Sequence, residues 1–193
     1  MSREYPEGWE VLYPQEKIAE ATTNLVEKIS QINGVVEKPV VLIQILESAR
    51  VFAEDLRLGL INKGINVRIE SISASSYKGK PGEQSNLEVS GLDKIKLSGD
   101  EIVFVVDDMV DSGDTMKKTV EQIEVIVSGA SVFATVLLQK ICSSFTPSFV
   151  AIKDCPDLWV AGYGINGNSP SELGEKDGRD LSEIIARVQT SKL

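Results

Sequence analysis

Apolar positions recur along this chain in two alternating rhythms. Ile18, Ala21, Leu25, Ile29 and Ile32 return at helical spacing, which predicts an amphipathic helix over residues 15–32 ended by Asn33-Gly34. Val40–Leu46 is instead an unbroken, largely apolar run after Pro39, short enough for a buried strand. Glu47-Ser48-Ala49 should turn, and Arg50–Asn62 should form a helix burying Phe52, Leu56 and Leu60 before Lys63-Gly64. The same alternation continues. Strands are predicted over residues 67–73, 102–106 and 131–138, a ribbon or strand pair over 87–97, and short strands at 149–152 and 158–160. A helix should cover 115–128 with Met116, Val120, Ile123 and Val127 facing inward. The first dozen residues read as an irregular arm pinned by Trp9, Val11 and Leu12. Residues 75–86 read as a flexible loop, 167–180 as loop, and 181–188 as a closing helical turn or two. Strands alternating with helices predict an α/β fold built on a mainly parallel sheet. No repeat or linker divides the chain, so residues 1–193 are expected to form a single domain.

Composition adds exclusions. The chain has 193 residues, a formal net charge of −9 and no histidine. The acidic balance argues against general nucleic-acid binding, which needs a basic face. Without histidine, proton transfer must fall to carboxylates, lysine or tyrosine. Cys142 and Cys155 lie too far apart for a short metal-binding motif. The polar first residues lack a secretory pattern and no apolar run reaches transmembrane length, so a cytoplasmic protein without a membrane partner is expected.

The densest chemistry lies in EIVFVVDDMVDSGDTMKKT, beginning at Glu101. An apolar strand is expected to end at Asp107 and Asp108, followed by the turn Asp111-Ser112-Gly113-Asp114-Thr115 and a helix start. Free N–H groups in a first helical turn favour a phosphate, and adjacent carboxylates favour sugar hydroxyls or a divalent cation. Such a unit is also compatible with simple capping of a loop. In a parallel sheet the ligand crevice lies at the carboxyl ends of the strands. Glu47, residues 107–115, Lys140 and the segment after Val160 are all predicted there.

That string resembles the phosphoribosyl-diphosphate (PRPP) signature of the type I phosphoribosyltransferases, and the resemblance covers nearly the whole chain, narrowing to the hypoxanthine-guanine branch. It implies a core over about residues 35–150, with the N-terminal arm and 151–193 forming a small hood. It further implies that Asp107, Asp108, Asp111, Ser112, Gly113, Asp114 and Thr115 bind PRPP, with Asp111 handling the purine N7 proton. VVLIQILESARVFAEDL is similar to the segment whose turn, here Glu47, Ser48 and Ala49, binds diphosphate; Arg179 lies where the family has an arginine that reaches it. SSY, ending in Ser76 and Tyr77, is similar to the start of the loop that closes over the site. Lys140 would read a 6-oxo group, Trp159 would stack on the base, and backbone near Val160 would bear on its 2-position. Mg²⁺ is the implied cofactor, near Asp107, Asp108 and Asn166, and a homodimer or homotetramer is the implied assembly.

Several positions depart from the family pattern. Glu47-Ser48-Ala49 replaces a turn that usually carries a basic residue and glycine, with Arg50 one position later. Asn166 replaces a usual aspartate, Asp107 a frequent glutamate, and Asp114 a frequent lysine. The expected function is a purine phosphoribosyltransferase forming a nucleoside 5′-monophosphate and diphosphate from PRPP and hypoxanthine or guanine. The alternatives are a PRPP- or nucleotide-sensing regulator of the same fold and a transferase for xanthine or a pyrimidine.

Overall fold

The apolar runs at residues 40–46 and 102–106 lie in two strands, β2 (Val40–Leu46) and β5 (Ile102–Val110), that pair in parallel at the centre of the molecule. Both are buried on both faces, which is why they read as continuous rather than alternating hydrophobic sequence. The computed structural model describes residues 4–77, 86–127, 130–168, 170–174 and 177–188. Around the central pair it places β3 (Val67–Tyr77), β6 (Ser131–Lys140) and β7 (Phe149–Cys155) in parallel, with β4 (Asn86–Ser90) antiparallel at one edge. The order is β4-β3-β2-β5-β6-β7. A second sheet, β1-β9-β8, is antiparallel and combines Trp9–Tyr13, Ile184–Arg187 and Trp159–Ala161.

Helix α1 (Gln15–Ser30) and helix α2 (Arg50–Asn62) cover one face of the main sheet, and helix α3 (Asp114–Ile126) covers the other. Phe52, Leu56 and Leu60 of α2 are fully buried, contributing roughly 1.5–3 kcal/mol each through removal from water. Phe104, Phe133 and Phe149 form an aromatic cluster across three strands, with ring centroids 5.4–5.8 Å apart. A four-residue helix, α4 (Pro170–Leu173), interrupts the expected loop near the C-terminus.

The fold class stands, and four local expectations are corrected. The N-terminal arm is a strand, because Trp9 finds a pocket of its own with Ala161, Leu181 and Ile185. Residues 184–187 form strand β9 rather than a helical turn, since β1 and β8 supply partners on both of its edges. Strand β5 continues through Asp107 and Asp108 to Val110, because β6 beside it runs on to Lys140 and keeps pairing. Strand β3 includes Ser76 and Tyr77, paired with Leu87 and Asn86. The rest of the expected flexible loop, residues 78–85, lies outside the described residues. The main sheet extends to Cys155 and the hood sheet resumes at Trp159.

Candidate active site

The carboxyl ends of β2, β5 and β6 open toward the hood, and three adjoining cavities occupy that end of the sheet. The smallest, about 130 Å³, is enclosed by Asp107, Asp111, Ser112, Gly113 and Thr115 with Met109, Val110 and Met116. Gly113 precedes α3 with φ of 96°, a left-handed conformation that glycine adopts without steric cost. A Cβ there would lie 2.1 Å from the Cβ of Phe145. The turn is tied down from the 141–148 segment: Ser144 Oγ donates to the Ser112 carbonyl at 3.2 Å, and Gln139 Nε2 donates to the Phe145 carbonyl at 3.1 Å. Asp114 does not line the cavity. Its carboxylate accepts from Ser112 Oγ at 3.2 Å, and its N–H donates back to that oxygen at 3.3 Å. Asp114 is thus a brace of the turn.

Asp107 and Asp108 follow the strand's alternation. Asp107 faces the small cavity, while Asp108 faces a second one of about 250 Å³. Burial, followed by the charge of Asp108, raises the Asp107 carboxyl well above its ordinary range. Burial also raises Asp108, opposed by hydrogen bonds from Asp107 and the Met109 N–H and by the positive charge of Arg179. A pair of half-buried acids held this close favours positive charge or hydroxyl donors between them.

The second cavity is bounded by Asp108, Asp111, Lys140, Trp159, Val160 and Asn166, with Ser48, Met109, Leu158, Ile165 and Asn168 completing the wall. Lys140 closes β6 with its side chain only 7% exposed, 3.3 Å from Asp157 Oδ1 and 3.6 Å from Asp111 Oδ1. Trp159 is 53% exposed, and its Nε1 donates to the Gly167 carbonyl at 2.6 Å. An indole that is fixed at its polar edge but open on a cavity is a stacking surface rather than core. Asn166 Oδ1 accepts the Asn168 N–H at 2.8 Å, so the carbonyl expected near a metal already closes a local turn.

A third cavity, about 520 Å³, lies beside the 47–49 turn and is lined by Glu47, Arg50, Val51, Gly164, Asn166 and Arg179, with Asp177 and Asp180. Ala49 is fully buried and lines none of the three cavities. Ser48 faces the second cavity, and its carbonyl packs against Gly164, where a Cβ would approach to 2.7 Å. Arg50 begins α2 and faces the third cavity together with Arg179. The cavity beside the turn thus has a basic residue one position after it, on the helix start. Arg50 was visible in the sequence as a displaced base. Asp157 escaped the sequence reading, since nothing in the sequence signals that it reaches Lys140.

Residues 8–166 match the family described as the phosphoribosyl transferase domain. The chain is 30% identical over 178 residues to the hypoxanthine-guanine phosphoribosyltransferase of Crithidia fasciculata, covering 85% of this chain and 81% of that protein. It is 28% identical over 170 residues to the enzyme of the same name from Leishmania donovani, covering 85% and 80% of the two chains. The hypoxanthine phosphoribosyltransferase of Trypanosoma cruzi, solved as a K68R mutant with the product IMP, superimposes with a TM-score of 0.76 at 26% identity, over 96% of this chain and 93% of that one. With a family match across most of its length and relatives that share its whole architecture, the chain belongs to the type I phosphoribosyltransferases and is most like their hypoxanthine-guanine branch.

Proposed function

We propose that this protein is a purine-salvage enzyme that transfers the 5-phosphoribosyl group of PRPP to the imidazole nitrogen of a 6-oxopurine. The products are a nucleoside 5′-monophosphate and diphosphate. The observation that carries this reading is the second cavity, where a buried lysine, a fixed open tryptophan and two carboxylates meet beside a phosphate-sized cradle. Lysine donates only, so it suits a 6-oxo acceptor and rejects a 6-amino donor. The relatives' names and the IMP bound to the Trypanosoma cruzi enzyme support the same substrate class.

In this reading the turn at Asp111, Ser112, Gly113 and Thr115 holds the 5′-phosphate through N–H groups and hydroxyls at the start of α3. Asp107 and Asp108 accept from the ribose hydroxyls and favour the positive charge that develops on the sugar. Arg50 and Arg179 hold the diphosphate, offsetting Glu47. Asp111 takes the purine N7 proton as the base bonds to C1′, Lys140 donates to the 6-oxo group, and Trp159 stacks on the ring. Backbone beside Val160 faces the 2-substituent. Mg²⁺ fits the donor set: Asp107 and Asp108 are half-buried acids raised by their surroundings, which a cation would relieve, while Asn166 would bring no charge. When bound, the ion would supply positive charge to offset that of the diphosphate.

The whole chain acts as one phosphoribosyltransferase domain in the cytoplasm, with the core about 35–150 and the remaining segments as hood. It assembles as a homodimer or homotetramer, supported by exposed Leu58 and Ile61 on α2. Glu47 in the diphosphate turn favours one other reading, a nucleotide sensor with little turnover.

Diphosphate release from PRPP and Mg²⁺ should be measured with hypoxanthine, guanine, xanthine, adenine and uracil, beside Asp111→Asn. Release with an oxopurine, lowered about 10²–10⁴-fold in the variant, is expected for loss of a proton acceptor. Nucleotide binding with no release for any base would establish the sensor instead.

A further inference from the structure

We propose that Asp157 is the positioning residue of the base-reading lysine, an inference that rests on the oxopurine role given to Lys140 above. A charged ammonium that is 7% exposed must be paired or it would be expelled or neutralised. Two carboxylates approach Lys140, and they are not equivalent. Asp157 Oδ1, at 3.3 Å, makes the hydrogen bond, whereas Asp111 Oδ1, at 3.6 Å, contributes attraction across a longer gap. Asp111 Oδ1 also receives the Cys142 thiol at 3.4 Å. The ligand atoms of Asp111, Cys142 and Asp157 all lie within 4.8 Å of one another, and the cation held at this cluster is the lysine's own ammonium.

Local structure explains how Asp157 comes to be there. Lys140 pairs with Cys155 across β6 and β7 after an irregularity that follows Leu138, and Ile141 N–H donates to the Cys155 carbonyl at 2.9 Å. Pro156 and a tight turn, with Leu158 N–H on the Pro156 carbonyl at 2.8 Å, then bring the next side chain back toward the strand end. Asp157 is therefore carried by the connection between the main sheet and the hood, while Lys140 belongs to the main sheet. Their contact spans that junction beside the cavity.

The two acids have different duties once a base enters. Asp111 must turn to the N7 proton, which loosens its hold on Lys140. Asp157 remains as counterion, so the side chain stays paired and aimed while one of its N–H groups serves the 6-oxo oxygen. Asp157 itself does not line the 250 Å³ cavity. It acts through Lys140.

The test is a double-mutant cycle of Asp157→Asn and Lys140→Met, read by IMP binding in calorimetry and by steady-state kinetics with hypoxanthine and PRPP. The Asp157 side chain is 63% exposed, so Asp157→Asn should remain folded with Tm within about 2 °C of the wild type. Its expected effect is an increase of about tenfold in KM for hypoxanthine and in Kd for IMP, with KM for PRPP unchanged within about twofold. In the Lys140→Met background the same change should add less than about twofold. Asp157→Glu, which restores the charge, should recover most of the loss. Equal losses toward both substrates, full additivity with Lys140→Met, or no loss at all would each overturn the positioning role. A wild type that binds IMP but turns over no oxopurine would overturn the transferase reading alone, because the binding cycle still reports on Asp157. A wild type that does not bind IMP would overturn both.

Discussion

Gly113 is constrained twice over, by a φ of 96° and by the Phe145 side chain where a Cβ would stand. Gly113→Ala should therefore destabilise the protein by about 1–3 kcal/mol. It should also raise KM for PRPP far more than KM for the base, because the proposed reading places the 5′-phosphate on the displaced turn. Thermal melts and steady-state kinetics check both halves, and a variant with wild-type KM for PRPP would remove the cradle from the site. Asp107 carries the opposite tension. Its folded-state pKa lies above the unfolded one, so the carboxylate is destabilising in the ligand-free protein at neutral pH: stability is fully present below the ordinary aspartate value and falls as pH rises through the folded one. Asp107→Asn should raise the ligand-free Tm by about 2–4 °C, the shift that roughly 1 kcal/mol makes in a chain of this size, while lowering turnover. A lower Tm would show that the acid pair is stabilising as it stands.

At the scale of elements, the proposed diphosphate site draws on the helix that follows the 47–49 turn. Arg50 enters α2 at its first residue and lines the same cavity as Arg179. Arg50→Ala should weaken PRPP binding by about tenfold, the usual cost of one charge-assisted contact. It should leave affinity for IMP, which has no diphosphate, nearly unchanged. Calorimetry with the two ligands separates these outcomes, and equal weakening of both would argue for a structural role of Arg50. Strand β5 teaches a related lesson. Its acids belong to the strand because β6 supplies pairing beyond the apolar run, and that extension sends Asp107 and Asp108 toward different cavities.

For the whole molecule, the hood must be held over the sheet, and Tyr163 is one clasp. It sits in the segment after β8, and its hydroxyl donates to Asp55 of α2. Burial, then the Asp55 hydrogen bond and charge, pushes the phenol above its ordinary 10.0, and Tyr13 is raised in the same direction, chiefly by burial. The folded state keeps these protons longer than the unfolded chain does. Stability is therefore unaffected below about pH 10 and should decline above it, by up to about 1.4 kcal/mol per pH unit for the well-buried Tyr163 and by less for Tyr13, whose greater contact with solvent screens it. Tyr163→Phe should lose about 1 kcal/mol at neutral pH and show a shallower alkaline decline. Urea unfolding at pH 8 and pH 11 measures both, and parallel declines in the two proteins would exclude Tyr163 as the cause.

The α/β class, helices α1 and α2, and the central strands were set by local pattern, because a helical stripe and a buried apolar run are properties of consecutive residues. The turn at residues 111–115 was equally legible as a turn, since its Asp, Ser, Gly and Thr are contiguous between a strand and a helix. Pairing was not. Whether residues 9–13 and 184–187 become strands depends on their pairing with each other across more than a hundred positions, and neither segment is long or alternating enough to declare itself. The base pocket has the same character. Lys140, Asp157 and Trp159 read in isolation as a surface lysine, a loop acid and a core aromatic. Only the folded chain buries the first, turns the second onto it and opens the third to a cavity, because burial and charge pairing are properties of what surrounds a residue rather than of the residues beside it in sequence.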